Sequence, residues 1–141
     1  MAVQTFLLEL GANECERLLA TASLGRLAVI VNGRPEIFPV NHVFDPTSRR
    51  VAFPTRDGTK LHAALNWPWV AFEVDGEEPD GSEGWSVLVV GKAIELTDTA
   101  EIARVSDLRD VLWGTGTGVH WVSVEPSQMT GRRISAPSTT F

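Results

Sequence analysis

The stretch RLAVIVNGRPEIFPVNHVF, from Arg26 to Phe44, decides the fold class. Its first part is rich in β-branched residues and predicts a strand over Arg26–Val31. Asn32-Gly33 follows, and this pair favours a two-residue hairpin turn because both turn positions need positive φ. The return strand is predicted over Glu36–Phe44, as an edge strand or an irregular strand, because Pro35 and Pro39 lack N–H donors. Strands joined this tightly must run antiparallel.

Outside this hairpin, the same kinds of signal predict more short strands and three helices. The first three strands follow one another too closely for a crossover helix, which excludes a parallel sheet. The further strands are predicted at Arg49–Pro54, Val70–Asp75, Trp85–Leu96 and Val119–Glu125, with an extended piece at Gly131–Ile134; the helices are predicted between the N-cap Asn13 (with Glu16 as its capping partner) and Gly25, at Lys60–Asn66 and from Thr99 to Leu112. We therefore expect one mainly β domain over residues 1–141, a six-stranded antiparallel split barrel with peripheral helices and a partly extended tail at 132–141.

Composition excludes several kinds of partner and chemistry. The chain has 12 Lys plus Arg against 18 Asp plus Glu, and this acidic balance argues against nucleic-acid or membrane-surface binding. Five of the acids lie between Asp75 and Glu83, where we expect a solvated loop or, as an alternative, a partner site. One cysteine, three scattered histidines and no tyrosine provide no disulfide, no metal-ligand set and no obvious nucleophile. The lack of a long apolar stretch or signal-like N-terminus predicts a cytoplasmic protein.

The segment from Phe53 to Leu61, FPTRDGTKL, is the strongest candidate for a ligand site. It leads from a strand into a helix, whose first N–H groups and positive dipole end suit a phosphate. Asp57 opposes such a site unless it points away. The alternative is an ordinary polar turn before a helix. The candidate phosphate donors are Thr55, Arg56, Thr59 and Lys60.

A few other side chains have a structural and a functional interpretation. Trp85 belongs to the core or provides a flat surface beside a planar ligand. His42 and His62 are structural or polarise a ligand. Cys15 is a small buried hydrophobe or a reactive thiol, and the helical stripe it belongs to favours burial.

Taken in order, several segments resemble the pyridoxamine 5′-phosphate oxidase-like, FMN-binding split barrels, in particular their small single-domain actinobacterial branch. The resemblance implies a homodimer with two FMN sites at the subunit interface. It also implies two-electron redox chemistry in which the cofactor carries the hydride, with no catalytic side chain of the protein's own. The segments that carry the resemblance are Gly25–Ala28, Pro39–Asn41, Phe53–Lys60, Val70–Asp75, Gly84–Ala93 and Thr130–Ile134.

The resemblance also implies which residues contact the cofactor. These are Thr55, Arg56, Thr59 and Lys60 at the phosphate, Phe38, Pro39, Val40 and Asn41 along the isoalloxazine ring, Trp85 and Ser86 as neighbours, and Arg132 from the partner chain. The implied activity is that of a flavin-dependent oxidoreductase that passes a hydride between a reduced nicotinamide or similar donor and a small organic acceptor. Related branches bind the deazaflavin F420 or haem, so an F420-dependent reductase and a non-catalytic flavin or haem carrier are alternatives. Pro54 stands where relatives often have arginine, which leaves room for F420 or for an empty pocket.

Overall fold

The computed structural model describes residues 6–67, 69–109 and 117–135, and within these ranges eight antiparallel strands form one curled sheet with three helices. The sheet order is β3-β2-β6-β7-β8-β5-β4, and β1 pairs with β8. The end strands β3 and β4 are consecutive in the chain, with only His42 between them, so the sheet curls into a split barrel. The strands are β1 (Phe6–Leu10), β2 (Leu24–Val31), β3 (Arg34–Asn41), β4 (Val43–Asp45), β5 (Arg50–Arg56), β6 (Trp69–Glu77), β7 (Glu83–Glu95) and β8 (Val119–Ser135); the helices are α1 (Ala12–Thr21), α2 (Thr59–Asn66) and α3 (Thr99–Ser106).

The predicted mainly β, antiparallel split barrel is confirmed, but the predicted number of six strands is wrong. The return strand of the first hairpin is interrupted at His42 and continues as β4. The N-terminal strand β1 was not predicted, since it is held by pairing with the distant end of β8. The predicted strand Val119–Glu125 and the extended piece Gly131–Ile134 are one continuous strand, β8.

The Asn32-Gly33 turn is confirmed. Asn32 has φ 51° and Gly33 φ 77°, the two positive values that a tight hairpin of this type needs. The edge position predicted for the return strand is also confirmed, because β3 pairs with β2 alone among the described strands. Residues on the free edge of β3 therefore keep backbone groups available to a ligand.

Helix α1 differs from the prediction at both ends. Its N-cap is Gly11 and no side chain caps it, while the carboxylate of Glu16 accepts hydrogen bonds from Arg49. Gly25 lies in β2 beneath the ring of Phe72 and does not end the helix. α3 ends at Ser106, and Leu112, where its end was predicted, lies outside the described residues.

One apolar core fills the barrel, and a second cluster lies outside it. Inward side chains of the strands meet the apolar faces of α1 and α2, and each fully buried valine, leucine or phenylalanine contributes roughly 1.5–3 kcal/mol. The outer cluster joins Val105 of α3 to Trp121 of β8. Arg104 of α3 also bonds the buried carboxylate of Asp45 at 2.7 Å. No helix in the described ranges is both long and apolar enough to cross a membrane.

Candidate functional site

The loop predicted to bind phosphate connects β5 to α2. Some of its candidate phosphate donors are buried and others are exposed. Thr55 is buried on the barrel side of β5, where its hydroxyl donates to the carbonyl of Arg56 at 3.3 Å. Arg56 is exposed, and its Nη1 donates to the carbonyl of Thr117 at 2.9 Å. Thr59 begins α2, which has no side-chain cap. The first N–H groups of this helix are therefore free to meet an anion.

Lys60 is the cation best placed at this helix end. Its side chain is half-buried, with Nζ 6.0 Å from the ring centre of Phe53. Burial lowers the pKa of Lys60 below its ordinary value, because a partly desolvated ammonium is less stable in its charged form. Within the described part of the chain, Lys60 forms no salt bridge. A partly desolvated cation beside a helix N-terminus is chemically suited to an anion.

Asp57, the residue that argued against a phosphate, is turned towards β8. Its Oδ1 lies 3.2 Å from Nε2 of His120, and Nδ1 of the same ring lies 3.4 Å from Oε2 of Glu95. The contacts of Arg56 and Asp57 thus attach the loop to the start of β8. The tertiary partner His120 could not be found from local sequence, because it is far along the chain.

The segment predicted to lie along a flavin ring, Phe38–Asn41, belongs to the edge strand β3. Phe38 and Val40 point into the core, while Pro39 is exposed and Asn41 half-buried. Only the alternate side chains, Pro39 and Asn41, are thus presented to the outside of the barrel.

Trp85 and Ser86 face opposite sides of β7. The indole of Trp85 packs against the core and over Gly76, its cross-strand neighbour, which supports the structural interpretation. Ser86 lies on the outer face, directly opposite Arg132 of β8. Ser86 and Arg132 line a cavity of about 320 Å³ together with Glu73, Leu88 and Thr130. This outer cavity and the phosphate loop share no lining residue within one protomer.

A charged cluster that the sequence reasoning missed lies beside this outer cavity. Arg26 of β2 contacts Asp75 at 2.7 Å and Glu73 at 3.3 Å. Burial and the neighbouring Asp75 raise the pKa of Glu73 to about 7, against the effect of Arg26. Glu73 and Asp75 are two positions apart in one strand, so their side chains point to the same face of the sheet. This spacing was the sequence signal for the charged cluster.

The acidic segment 75–83 contains a connection that is exposed to solvent, as predicted, and shorter than predicted. Asp75 and Glu83 lie within strands, and the connection itself is a short turn in which Gly81 N–H donates to the carbonyl of Glu78 at 2.8 Å. Arg133 lies 3.7 Å from Glu78 and 3.1 Å from Glu83. The predicted loop Gly76–Glu83 is therefore too long, and two of its acids, Glu78 and Glu83, are paired with Arg133.

A further cavity, here called the α2 cavity, lies between the turn of the β2–β3 hairpin and α2. Its volume is about 650 Å³. Gly58 and Thr59 of the phosphate loop line it at one end. The other polar or aromatic lining residues are Asn32, His62, Asn66 and Trp67. Residues 62 and 63 each lie three or four positions from residues 59 and 66, so all four lie on one face of α2. This spacing was the sequence signal for the helix side of the cavity.

The remaining candidate residues have structural positions. His42 is fully buried between Leu19 and Phe72, so its interpretation as a structural residue is supported. Cys15 is buried, and burial raises the pKa of its thiol, which disfavours a reactive thiolate. Among the residues that the structure describes, no group of three or more His, Cys, Asp or Glu side chains is placed to hold a metal ion.

Comparisons with known proteins agree with this fold. The family model described as pyridoxamine 5′-phosphate oxidase matches residues 11–133. The uncharacterized protein Rv0080 of Mycobacterium tuberculosis is 36% identical over 137 residues, 94% of this chain and 88% of that protein. A solved structure named as the FAD binding protein from Mycobacterium smegmatis has TM-score 0.74 and 39% identity, covering 89% of this chain and 98% of the other. A putative pyridoxamine 5′-phosphate oxidase from Corynebacterium glutamicum has TM-score 0.73 and 26% identity, covering 94% and 96%.

Proposed function

The chain belongs to the pyridoxamine 5′-phosphate oxidase family, and from this premise we propose that it binds a flavin nucleotide and uses it for two-electron redox chemistry on a small organic molecule. A structure that resembles this chain over nearly its whole length is named as an FAD-binding protein, which supports a flavin. The proposal places the flavin phosphate at the N-terminus of α2, between Thr55 and Lys60.

The observation that carries the proposal is Lys60. Its half-buried ammonium forms no salt bridge among the described residues, and its pKa is lowered by burial. A bound phosphate would restore a partner to this charge and would raise the pKa of Lys60 again. The free N–H groups of the first turn of α2 and the Thr59 hydroxyl complete the donor set. The residues present therefore fit a phosphate.

Arg56 and Pro54 have smaller parts in this proposal. Arg56 must leave the carbonyl of Thr117 to reach a phosphate, so we expect it to contribute less than Lys60. Pro54 is buried and lies on the opposite face of β5 from Thr55. The loss of an arginine at position 54 is therefore compatible with a phosphate held by Thr55, Thr59 and Lys60.

The proposed site is completed by a second copy of the chain. The outer face of the sheet presents Leu24 and Ile37, which are 54% and 66% exposed, as a surface for a homodimer. Across that interface, Ser86 and Arg132 of one protomer would meet the flavin held by the phosphate loop of the other, with Pro39 and Asn41 along the ring. When bound, the flavin supplies the hydride chemistry. The protein's own residues bind the phosphate, orient the ring and exclude water.

The test is to remove bound cofactor from the purified protein and titrate it separately with FMN, FAD, F420 and haem. We expect the spectrum of an oxidised flavin and saturable binding of at least one flavin nucleotide. Binding of F420 or haem without flavin binding would contradict the proposal. Turnover of a reduced nicotinamide or another donor with a small acceptor then separates an oxidoreductase from a non-catalytic carrier.

Replacing Lys60 provides the sharpest variant. We expect Lys60→Ala to weaken flavin nucleotide binding by roughly 1–3 kcal/mol, or about fivefold to a hundredfold, because one charge-assisted hydrogen bond is lost. Lys92→Ala is the matched control, since Lys92 is an exposed lysine on β7 near the ring of Trp69. Calorimetric titration of both variants measures the effect. Equal affinity in the two variants would show that the phosphate lies elsewhere.

The F420-dependent reductase of the same fold is a second candidate, favoured by Pro54 in place of an arginine that relatives often have. The same titration distinguishes the two, because tight flavin binding without a response to F420 excludes the second candidate.

A further inference from the structure

We propose that His120 is a positioning residue for the phosphate loop: its protonated form holds the carboxylate of Asp57 away from the N-terminus of α2, which makes flavin binding depend on pH. The inference rests on the proposed function, since it requires a flavin phosphate at that helix end. It adds to the site a residue that is distant in the chain, and it gives the direction in which pH changes the affinity.

His120, Asp57 and Glu95 meet at one end of the barrel although they belong to three different parts of the chain. His120 lies on β8 directly opposite Thr55 of β5, so the two side chains share the barrel side of the sheet. Asp57 belongs to the phosphate loop, and Glu95 is the last residue of β7. The imidazole therefore lies between the loop that would hold the phosphate and the end of a neighbouring strand.

Both ring nitrogens of His120 face a carboxylate. Nδ1 lies 3.4 Å from Oε2 of Glu95, and Nε2 lies 3.2 Å from Oδ1 of Asp57. A neutral imidazole has one N–H and one bare nitrogen, so it can donate to one of these carboxylates and would turn a lone pair towards the other. The imidazolium attracts both. The two contacts are therefore favourable together only when His120 is protonated.

Other charged or titratable groups lie around this end of the barrel. Arg56 in the loop is engaged by the carbonyl of Thr117, to which its Nη1 donates. α3 packs against the opposite face of β8, at Trp121, so its charged side chains face away from the imidazole. Among the described contacts, His120 is therefore the cation that faces Asp57. The titratable residues near the start of α2 are Lys60 and His62.

Asp57 is the residue through which His120 acts. It lies two residues before Thr59, where α2 begins, and its side chain is 75% exposed, so the contact with His120 decides where its carboxylate points. A released carboxylate would be attracted to the free N–H groups of the helix end and would repel a phosphate there. Protonated His120 thus leaves these N–H groups to the phosphate. When the imidazole loses its proton, Asp57 competes with the phosphate.

The experiment measures the affinity of FMN, or of FAD if the unchanged protein binds only FAD, by calorimetric titration between about pH 6 and 8, where an imidazole ordinarily changes its charge. The proteins are the cofactor-free full-length chain, His120→Gln, Asp57→Asn and the double variant. Asp80→Asn is the matched control, because Asp80 is also an exposed aspartate in a turn but bonds Ser82. The ratio of two affinities at one pH cancels the ionisation of the flavin phosphate and of groups common to both proteins.

We expect His120→Gln to weaken binding by roughly twofold to fivefold near pH 6, the usual contribution of an exposed ion pair, and to have no effect near pH 8. Asp57→Asn should bind at least as tightly as the unchanged protein, because its amide does not repel the phosphate. The double variant should bind as tightly as Asp57→Asn at every pH. Asp80→Asn should bind like the unchanged protein.

Three results would overturn the inference. One is equal affinity of His120→Gln and the unchanged protein near pH 6. Another is the same loss from His120→Gln with and without Asp57→Asn, because His120 would then act through the fold of β8. The third is weaker binding in Asp57→Asn, which would make Asp57 itself a ligand contact. Failure of the proposed function is distinct, because then the unchanged protein binds neither flavin.

Discussion

The imidazole of His42 lies inside the barrel, where Nε2 donates to the carbonyl of Leu19 at 2.9 Å and the ring meets Phe72 edge-on. Its Nδ1 is buried without a hydrogen-bond partner in the described residues. The pKa of His42 is lowered to about 4 by burial and, to a smaller extent, by the charge of Arg109. The hydrogen bond to Leu19 acts in the opposite direction. A second ring proton would lie on Nδ1, so the imidazolium would be a buried charge with no acceptor for that proton among the described residues.

The lowered pKa of His42 makes the stability of the fold depend on pH, and the direction of the effect follows from the two pKa values. The unfolded chain takes up a proton at His42 near pH 6.5, whereas the folded protein does so near pH 4. The contribution of neutral His42 to the stability of the fold is therefore present above pH 6.5 and is lost as the pH falls from 6.5 to 4. We expect His42 to lower the free energy of unfolding by about 2 kcal/mol between pH 7 and pH 5, measured as the difference between denaturant titrations of the unchanged protein and of a variant without this histidine.

The matched variants for this prediction are His42→Gln and His62→Gln. The first should remove the loss of stability that His42 causes as the pH falls from 6.5 to 4, since glutamine does not titrate, and leave the opposite contribution of Glu73 in place. The second removes an exposed imidazole on α2 and serves as the control for losing a histidine outside the core. If His42→Gln keeps the slope of the unchanged protein, another group is responsible.

Gly91 shows a backbone contact that only glycine allows. A Cβ at this position would lie 2.0 Å from the carbonyl oxygen of Glu125, at the bulge where Gly91 pairs with Pro126. We expect Gly91→Ala to destabilise the protein by about 1–3 kcal/mol, since the neighbour is backbone and cannot move aside. Thermal unfolding measures the effect. Gly84→Ala in the same strand is the control, because its nearest atom would be 3.7 Å away; equal losses in the two variants would contradict the reason given.

At the scale of elements, Arg26 on the outer face of β2 contacts two carboxylates, Glu73 and Asp75, on the outer face of β6. Burial and the proximity of Asp75 keep the pKa of Glu73 near 7, so the folded protein binds more protons there than the unfolded chain between pH 4.5 and 7. Stability from this group is therefore highest below pH 4.5 and falls as the pH rises towards 7. Arg26 limits the effect through its contacts with both acids.

We expect Asp75→Asn to lower the pKa of Glu73, because a neighbouring negative charge is removed. The pKa should stay above 4.5, since burial is its largest cause. Arg26→Gln should act in the opposite direction and raise it. A carboxyl NMR titration of the three proteins measures both changes, and an unchanged pKa in Asp75→Asn would show that burial alone is responsible.

The elements also show why sequence patterns predicted some boundaries and missed others. The β2–β3 hairpin follows from two adjacent residues that accept positive φ, so it was predictable. The continuity of β8 was not, because Pro126 indicates a break. In the folded sheet, Pro126 lies opposite Gly91 at the bulge, where a missing N–H is tolerated.

At the scale of the whole molecule, the outer sheet face determines the proposed assembly. We expect the protein to be a dimer at micromolar concentration and Ala71→Arg, which puts a charge at the centre of that face beside Ala28 and Val90, to be a monomer with weaker flavin binding. Ala12→Arg, on an exposed position of α1, is the control and should remain a dimer. Sedimentation measures both. A monomeric unchanged protein with bound flavin would contradict the interface proposal.

The sequence by itself determined the fold class and the first hairpin, and it predicted the polar loop at 53–61 as a candidate phosphate site, since each depends on residues that are neighbours in the chain. Tertiary structure alone brought His120 to Asp57, turned Trp85 inward and Ser86 outward, and opposed α2 to the hairpin turn to form a cavity. These contacts join residues far apart in sequence. Local propensity carries no information about them, because they arise only when the sheet curls and closes around its core.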